Sequence, residues 1–189
     1  MCRKWVGCQE INIEVPNISE NVDVIDVRSE KNKVNINVPP RHTKSMIFNV
    51  FGPLWLWTFY PIKAASVSHT GGLATSMNEK RKSVINSEKY QELFNDIYLE
   101  SNTAGFLKDA RGGELYSMNR NAFTGYGADI IVNDDLTNAE TARKDKEEMG
   151  NAWAYYQNTM PSRVNDITKC VIINIQQRLA PNDITGHIM

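Results

Sequence analysis

The chain has 189 residues, of which 41% are hydrophobic and 23% charged, and its net charge at neutral pH is −1. That length fits one domain, large enough to bury a core without disulfides. The near-neutral balance excludes a global basic field for nucleic acid, so any DNA contact has to come from a local patch. Cys2, Cys8 and Cys170 fit neither a zinc knuckle nor a CxxC redox pair and read as free thiols in a reducing compartment.

Residues 1–32 form a poorly assigned N-terminal segment with strand-like pieces at "INIEV" and "VDVIDV"; it has no apolar stretch of the kind a signal peptide carries. "KVNINV" (33–38) alternates, with Val34, Ile36 and Val38 on one face, and predicts a strand that Pro39-Pro40 ends because neither proline can donate to a ladder. Residues 44–58 predict a helix kinked at Pro53. The apolar run "MIFNVFGPLWLWTFYP" is interrupted by Asn49, Gly52 and Pro53 and is shorter than the roughly 20 residues of a membrane span. It reads as a buried core helix.

"IKAASVSHT" (62–70) predicts a second buried strand, Gly71-Gly72 a turn, and residues 73–94 one or two helices. Residues 101–129 read as loop-rich with short strand candidates, and "ADIIVNDD" (128–135) as a β-branched strand ending in two acids. Thr137 to Tyr156 predicts a long helix, with Thr137 and Glu140 as a capping box. "KCVIINIQQR" (169–178) predicts a last apolar strand with a polar end. Alternating strands and helices predict an α/β sheet with helices on both faces, where ligands sit at the carboxyl ends of the strands.

Three strands end in polar clusters: "PPRHTKS", "NDD" and "QQR". If the strands are neighbours, the clusters meet at one edge of the sheet. Together they contain what cleavage of a nucleoside triphosphate needs. A loop at a helix N-terminus presents N–H groups to phosphate, with Lys44 supplying charge and Ser45 a hydroxyl ligand for Mg²⁺. Asp134 can hold the metal's water shell and Asp135 can orient the attacking water, while Gln176 or Gln177 can sense the γ-phosphate. Each piece also has an ordinary reading: Lys-Ser in a turn, Asp-Asp in a solvated loop, "QQR" as surface.

The ordered set resembles the terminase large subunits of tailed double-stranded DNA bacteriophages. "VNINVPPRHTKS" is similar to their nucleotide-binding loop, and "SVSHTGGLATSMNEKRKSVINSEKYQELF" to a Ser-rich strand and following helix. "TGYGADIIVNDDLTNAETA" resembles their Walker B segment, and "TMPSRVND" with "VIINIQQRLAPNDITGHI" their later Arg- and Gln-bearing segments. The likeness spans residues 33–189. It implies a three-layer P-loop NTPase of the ASCE/RecA-like kind, with a mainly parallel central sheet, using ATP and Mg²⁺ to drive duplex DNA into a procapsid.

On that resemblance Pro40, Arg41, His42, Thr43, Lys44 and Ser45 (Walker A) and Asp134 (Walker B) bind the nucleotide, with Ser45 and Asp134 toward the metal. Asp135 is the catalytic carboxylate, Gln177 belongs to the segment coupling hydrolysis to movement, and Arg41 is either an arginine finger or a loop-shaping residue paired to an acid. His42 is expected to hydrogen-bond within the loop, and His69 to be structural or a weak DNA contact. Lys80, Arg81 and Lys82 in "NEKRKS" form either a DNA-facing patch or a solvated helix face. The implied partners are double-stranded DNA, a portal protein, a small terminase subunit and further copies in a ring, with no membrane. The implied location is the host cytoplasm and, transiently, the procapsid portal, without secretion.

Two departures stand out. The clustered acids of the family's C-terminal nuclease domain have no counterpart, so this chain is expected not to cut DNA. Residues 1–32 do not resemble the lead-in that holds adenine, although Trp5 and Gln9 could contact a base. Thr43 stands where many such loops have glycine, which predicts strain if its φ is positive. The competing readings are another DNA-dependent P-loop ATPase, helicase-like, or a non-catalytic remnant that binds DNA or proteins.

Overall fold

The computed structural model describes residues 32–138 and 146–188. The strand-like pieces of the first 31 residues, Trp5, Gln9, Cys2, Cys8 and Glu140 lie outside them. In chain order, β1 (Lys33–Asn37) leads through a loop into a π-helical turn (Met46–Phe51) that passes into α1 (Gly52–Phe59). Then come β2 (Lys63–Ser68), α2 (Gly71–Ile85), α3 (Glu88–Leu93), β3 (Leu99–Asn102), β4 (Phe106–Asp109) and β5 (Glu114–Asn119). β6 (Ile130–Asp134), α4 (Lys146–Ala154), a π-helical turn (Tyr155–Thr159), a 3₁₀ turn (Met160–Arg163), β7 (Val171–Gln176) and α5 (Ile184–Ile188) complete the described chain.

The strands form one seven-stranded sheet in the order β1-β7-β6-β2-β5-β4-β3. β1, β7, β6, β2 and β5 run parallel, and β4 and β3 add an antiparallel edge. This is the α/β fold with a mainly parallel sheet that the alternation of elements predicts.

Period-two alternation sends the two halves of each central strand to opposite cores. Ala64, Leu115, Ile130, Val132 and Ile175 pack with Val50, Leu54, Trp57 and Ile85 from the helices after β1 and β2. Ala65, Val67, Ile131 and Ile172 face the other way, against Tyr155, Tyr156, Met160 and Ile184. All five residues of β6 are buried, the pattern of a strand covered on both faces. Each such Ile or Val contributes about 1.5–3 kcal/mol by leaving water.

Several local expectations need correction. Gly71-Gly72 is not a turn; it opens α2, where the Thr70 hydroxyl accepts from the Leu73 N–H at 3.3 Å and caps the helix. The short strand candidates of the region read as loop-rich are realised as the meander β3-β4-β5, so it holds more strand than expected. Residues 139–145 of the helix predicted from Thr137 lie outside the described residues; α4 is described from Lys146, and Thr137 itself is buried. No helix among the described residues is long and apolar enough to cross a membrane.

Candidate functional site

The parallel registers set the carboxyl ends of the central strands side by side. Asn37 pairs with Gln176, Ile175 with Asp134, Asp134 with Ser68, and Ser68 with Asn119. β1, β7 and β6 are consecutive neighbours, so the three polar clusters share one rim.

The loop from Pro39 to Thr43 turns through two left-handed residues, Arg41 at φ 66° and Thr43 at φ 57°. Such a backbone can aim successive N–H groups into a concavity suited to an anion. Neither residue is glycine, and for β-branched Thr43 this conformation is strained by about 1–2 kcal/mol. Strain of that kind concentrates at ligand clamps. The His42 ring nitrogen Nδ1 lies 2.9 Å from the Pro40 carbonyl, a bond inside the loop as expected. Arg41 is exposed and forms no ion pair among the described residues, so the acid-paired reading of it has no support.

Lys44 is only 7% exposed, and its Nζ donates to Asp135 Oδ1 at 2.6 Å. Ser45 Oγ donates to Asp134 Oδ1 at 3.1 Å. These contacts join residues 91 and 89 positions apart. Asp135 also has a left-handed backbone, φ 45°, with its N–H donating to the Ile175 carbonyl at 2.9 Å. Its carbonyl accepts from the His69 N–H at 3.3 Å, so both neighbouring strands pin the turn. His69 Nδ1 lies 3.2 Å from Glu148 Oε1.

Asn49 was read in the sequence only as an interruption of an apolar run. It is fully buried and donates Nδ2 to Asp134 Oδ2 at 3.0 Å. Its own Oδ1 accepts from Ser66 Oγ at 2.6 Å. The available signal was its spacing: Asn49 follows Ser45 by four residues, one turn along the same helix face. Burial pushes the Asp134 carboxyl above its ordinary range, opposed by the bonds from Asn49 and Ser45.

Arg81 corrects the proposed DNA patch. It is 1% exposed, on the α2 face that also carries Ala74, Asn78 and Ile85, and cannot reach DNA. Its Nε donates to the Asn49 carbonyl at 2.8 Å and its Nη1 to Ser117 Oγ at 2.6 Å, while Nη2 reaches both the carbonyl and the Oδ1 of Asn49. Burial pulls its pKa down to about 10, opposed by the nearby Asp134, and it stays charged at neutral pH. Lys80 is exposed and Lys82 pairs with Glu79 at 2.8 Å.

Gln176 is buried and bonds to the Thr185 hydroxyl, which donates to Asn37 Oδ1 at 2.9 Å; it ties β7 to α5 and β1. Gln177, the next residue, is partly exposed where β7 ends. Arg178 Nε donates to Asp183 Oδ2 at 3.0 Å, and Asp183 Oδ1 accepts from the Gly186 N–H at 2.9 Å. A Cβ on Gly186 would lie 1.8 Å from the Pro181 carbonyl oxygen, so only glycine fits there.

No group of three or more metal-ligating side chains occurs among the described residues. Mg²⁺ in phosphate sites does not require one, because it is held by one or two oxygen ligands together with substrate phosphates and water. A hydroxyl and a carboxylate 3.1 Å apart, both hard oxygen donors, fit that ion. Ser45 and Asp134 are the residues that would hold it.

No protein-family model matches the sequence, and no curated protein matches it. Among solved structures, the fold is similar to a point mutant of the large terminase ATPase domain of Thermus phage P74-26, with a TM-score of 0.53 and 13% identity over 79% of this chain and 61% of that one. It is also similar to the large terminase of another, thermophilic bacteriophage, with a TM-score of 0.52 and 12% identity over 85% of this chain and 37% of that one. The chain therefore spans less than two thirds of either structure. What these likenesses establish is the fold alone, an α/β fold similar to that of phage large terminases.

Proposed function

We propose that residues 33–189 form the ATP-hydrolysing motor domain of a DNA-packaging terminase large subunit. The observation that carries this reading is the closure of Lys44 on Asp135 and of Ser45 on Asp134 across one sheet rim. An ammonium, a hydroxyl and two carboxylates from distant segments meet beside a left-handed loop, the set that triphosphate cleavage uses. The terminase-like fold supports it.

Lys44 turns from Asp135 to the phosphates when nucleotide enters. The same movement frees the Asp135 carboxylate, whose side chain is 34% exposed, to orient the attacking water. The loop N–H groups bind phosphate oxygens, and the Ser45 hydroxyl and Asp134 Oδ1, 3.1 Å apart, are the groups that would hold Mg²⁺. Bound Mg²⁺ supplies charge neutralisation for the phosphate oxygens. Arg41, extending into solvent from the loop, contributes transition-state charge, within the same site or in a neighbour's. Gln177 acts with the coupling segment that follows β7. Lys80 and Lys82 are the remaining cations of the patch for sequence-independent contact with duplex DNA.

The proposed partners are double-stranded DNA, the portal protein, a small terminase subunit and further copies in a ring, acting in the host cytoplasm at the procapsid portal. ATP hydrolysis by the wild-type chain, abolished in Lys44→Ala and stimulated by portal-bearing procapsids beyond the effect of DNA alone, is the expected result. Stimulation by DNA alone points to the helicase-like alternative. A folded chain with no hydrolysis even with procapsids and DNA points to the remnant.

A further inference from the structure

Asp134 is held by two donors of different kinds. Ser45 is a candidate metal ligand and has to leave Asp134 Oδ1 when the metal is bound. Asn49 has no such second task. It is fully buried, and its carboxamide donates to Asp134 Oδ2 at 3.0 Å, the oxygen that Ser45 does not use.

The carboxamide is itself locked. Ser66 Oγ, from β2, donates to Asn49 Oδ1 at 2.6 Å, and the Arg81 guanidinium donates to the same oxygen. With its oxygen engaged twice, the amide can only present NH₂ to Asp134. The backbone is locked too. Pro53 has no N–H to return to the Asn49 carbonyl four residues back, and Arg81 occupies that carbonyl through Nε at 2.8 Å and through Nη2. The helix is π-helical there: the Gly52 N–H donates to the Ile47 carbonyl, five residues back. Arg81 is anchored in turn by Ser117 Oγ, which donates to Asn78 Oδ1 at 3.2 Å.

We propose that Asn49 is a positioning residue for the metal-facing carboxylate: it fixes Asp134 Oδ2 so that Oδ1 stays aimed at the ion, with Ser66 and Arg81 holding the carboxamide in the one orientation that does this. The inference rests on the nucleotide-site reading of Lys44, Ser45, Asp134 and Asp135. It adds a residue that carries no charge and touches neither phosphate nor metal. Residues holding a metal's own ligands typically set its affinity by 10- to 100-fold.

The test is a magnesium titration of nucleotide binding, read by the fluorescence of an N-methylanthraniloyl ATP analogue, beside the analogue's affinity in EDTA. Asn49→Leu keeps the side-chain size and removes the donor. It is expected to raise the half-saturating Mg²⁺ concentration by about 10-fold or more while leaving the affinity in EDTA within about twofold. Ser66→Ala, which leaves every contact to Asp134 in place, is expected to shift the same concentration about threefold, and Ser66→Thr to restore it. Should Asn49→Leu not fold by circular dichroism, the Ser66 pair decides.

Unchanged Mg²⁺ dependence in a folded Asn49→Leu, or in Ser66→Ala where only that variant folds, overturns the positioning role and leaves the nucleotide site intact. An equal loss of affinity with and without Mg²⁺ also overturns it, because that marks general damage to the site. A wild-type chain that binds the analogue without any dependence on Mg²⁺ removes the underlying site reading, and this inference with it.

Discussion

Replacing Arg81 by methionine separates a surface cation from a buried clamp. Methionine keeps much of the unbranched stem but donates no hydrogen bond. In the native chain the guanidinium is 1% exposed and supplies donors to the Asn49 carbonyl, the Asn49 side-chain oxygen and Ser117 Oγ. The Asn49 side-chain oxygen keeps Ser66 and the Ser117 hydroxyl keeps Asn78. The Asn49 carbonyl lacks its α-helical donor because position 53 is proline. A buried acceptor stripped of its partner loses about 1–3 kcal/mol, and breaking a buried charged network loses about 3–5 kcal/mol. No longer burying the cation returns part of this, so about 3 kcal/mol of destabilisation is expected. With a urea slope of about 2 kcal/mol/M, the unfolding midpoint falls by about 1.5 M. Lys80→Met, one residue earlier on the exposed face of α2, stays within about 0.5 kcal/mol of wild type. An Arg81→Met chain within 1 kcal/mol of wild type, or an equal fall in Lys80→Met, refutes the clamp.

Thr43→Gly removes a β-branched residue from φ 57°. Relief of about 1–2 kcal/mol, less the extra entropy of glycine in the unfolded chain, leaves a gain of up to about 1 kcal/mol by urea unfolding. The Tyr116 hydroxyl donates to Glu114 Oε2 at 2.6 Å, and this bond, with help from Lys63, holds the Glu114 carboxyl below its ordinary range. A depressed carboxyl stabilises the fold above its unfolded pKa of about 4.3 and loses that stabilisation as pH falls through the lower folded value. Tyr116→Phe is therefore less stable than wild type at pH 7, by at most about 1 kcal/mol at this screened site, and the gap closes as unfolding curves are taken below about pH 4. Cys170 is buried and its thiol pushed up to about 12, so peptide mapping after treatment with a thiol reagent at pH 8 finds it modified only in unfolded chain.

The central strands were legible because their chemistry is redundant. "KVNINV", "IIVND" and "VIINIQ" combine β-branched residues with abrupt polar ends, and β1, β6 and β7 fall there. Their adjacency was an inference from the complementarity of the ends, and the sheet order provides it. The meander was legible only as short strand candidates in a loop-rich region, because β3 and β4 have only four residues each, with one charged side chain in β3 and two in β4. Gly71-Gly72 read as a turn since nothing local shows that Thr70 caps the helix that those glycines begin.

Arg81 was misplaced by reading "NEKRKS" as a charge run instead of by helical period. Spaced from Ala74, Asn78 and Ile85 by seven, three and four positions, it belongs to the face packed on the sheet. Asn49 was passed over because one polar residue in an apolar helix signals only that a partner is required. Which partner depends on the crossing of α2 and β6 over that helix, which is long-range information.

The most direct measurement for the account as a whole is isothermal titration of the slowly hydrolysed analogue ATPγS into the wild-type chain and into Lys44→Ala, with and without MgCl₂. Loss of one charge-assisted contact of about 1.5–3 kcal/mol weakens binding about 10- to 100-fold. The account predicts Mg²⁺-dependent binding to the wild type and a loss of at least that size in a folded Lys44→Ala. Equal affinity for the two chains, or no heat of binding to the wild type, would contradict it.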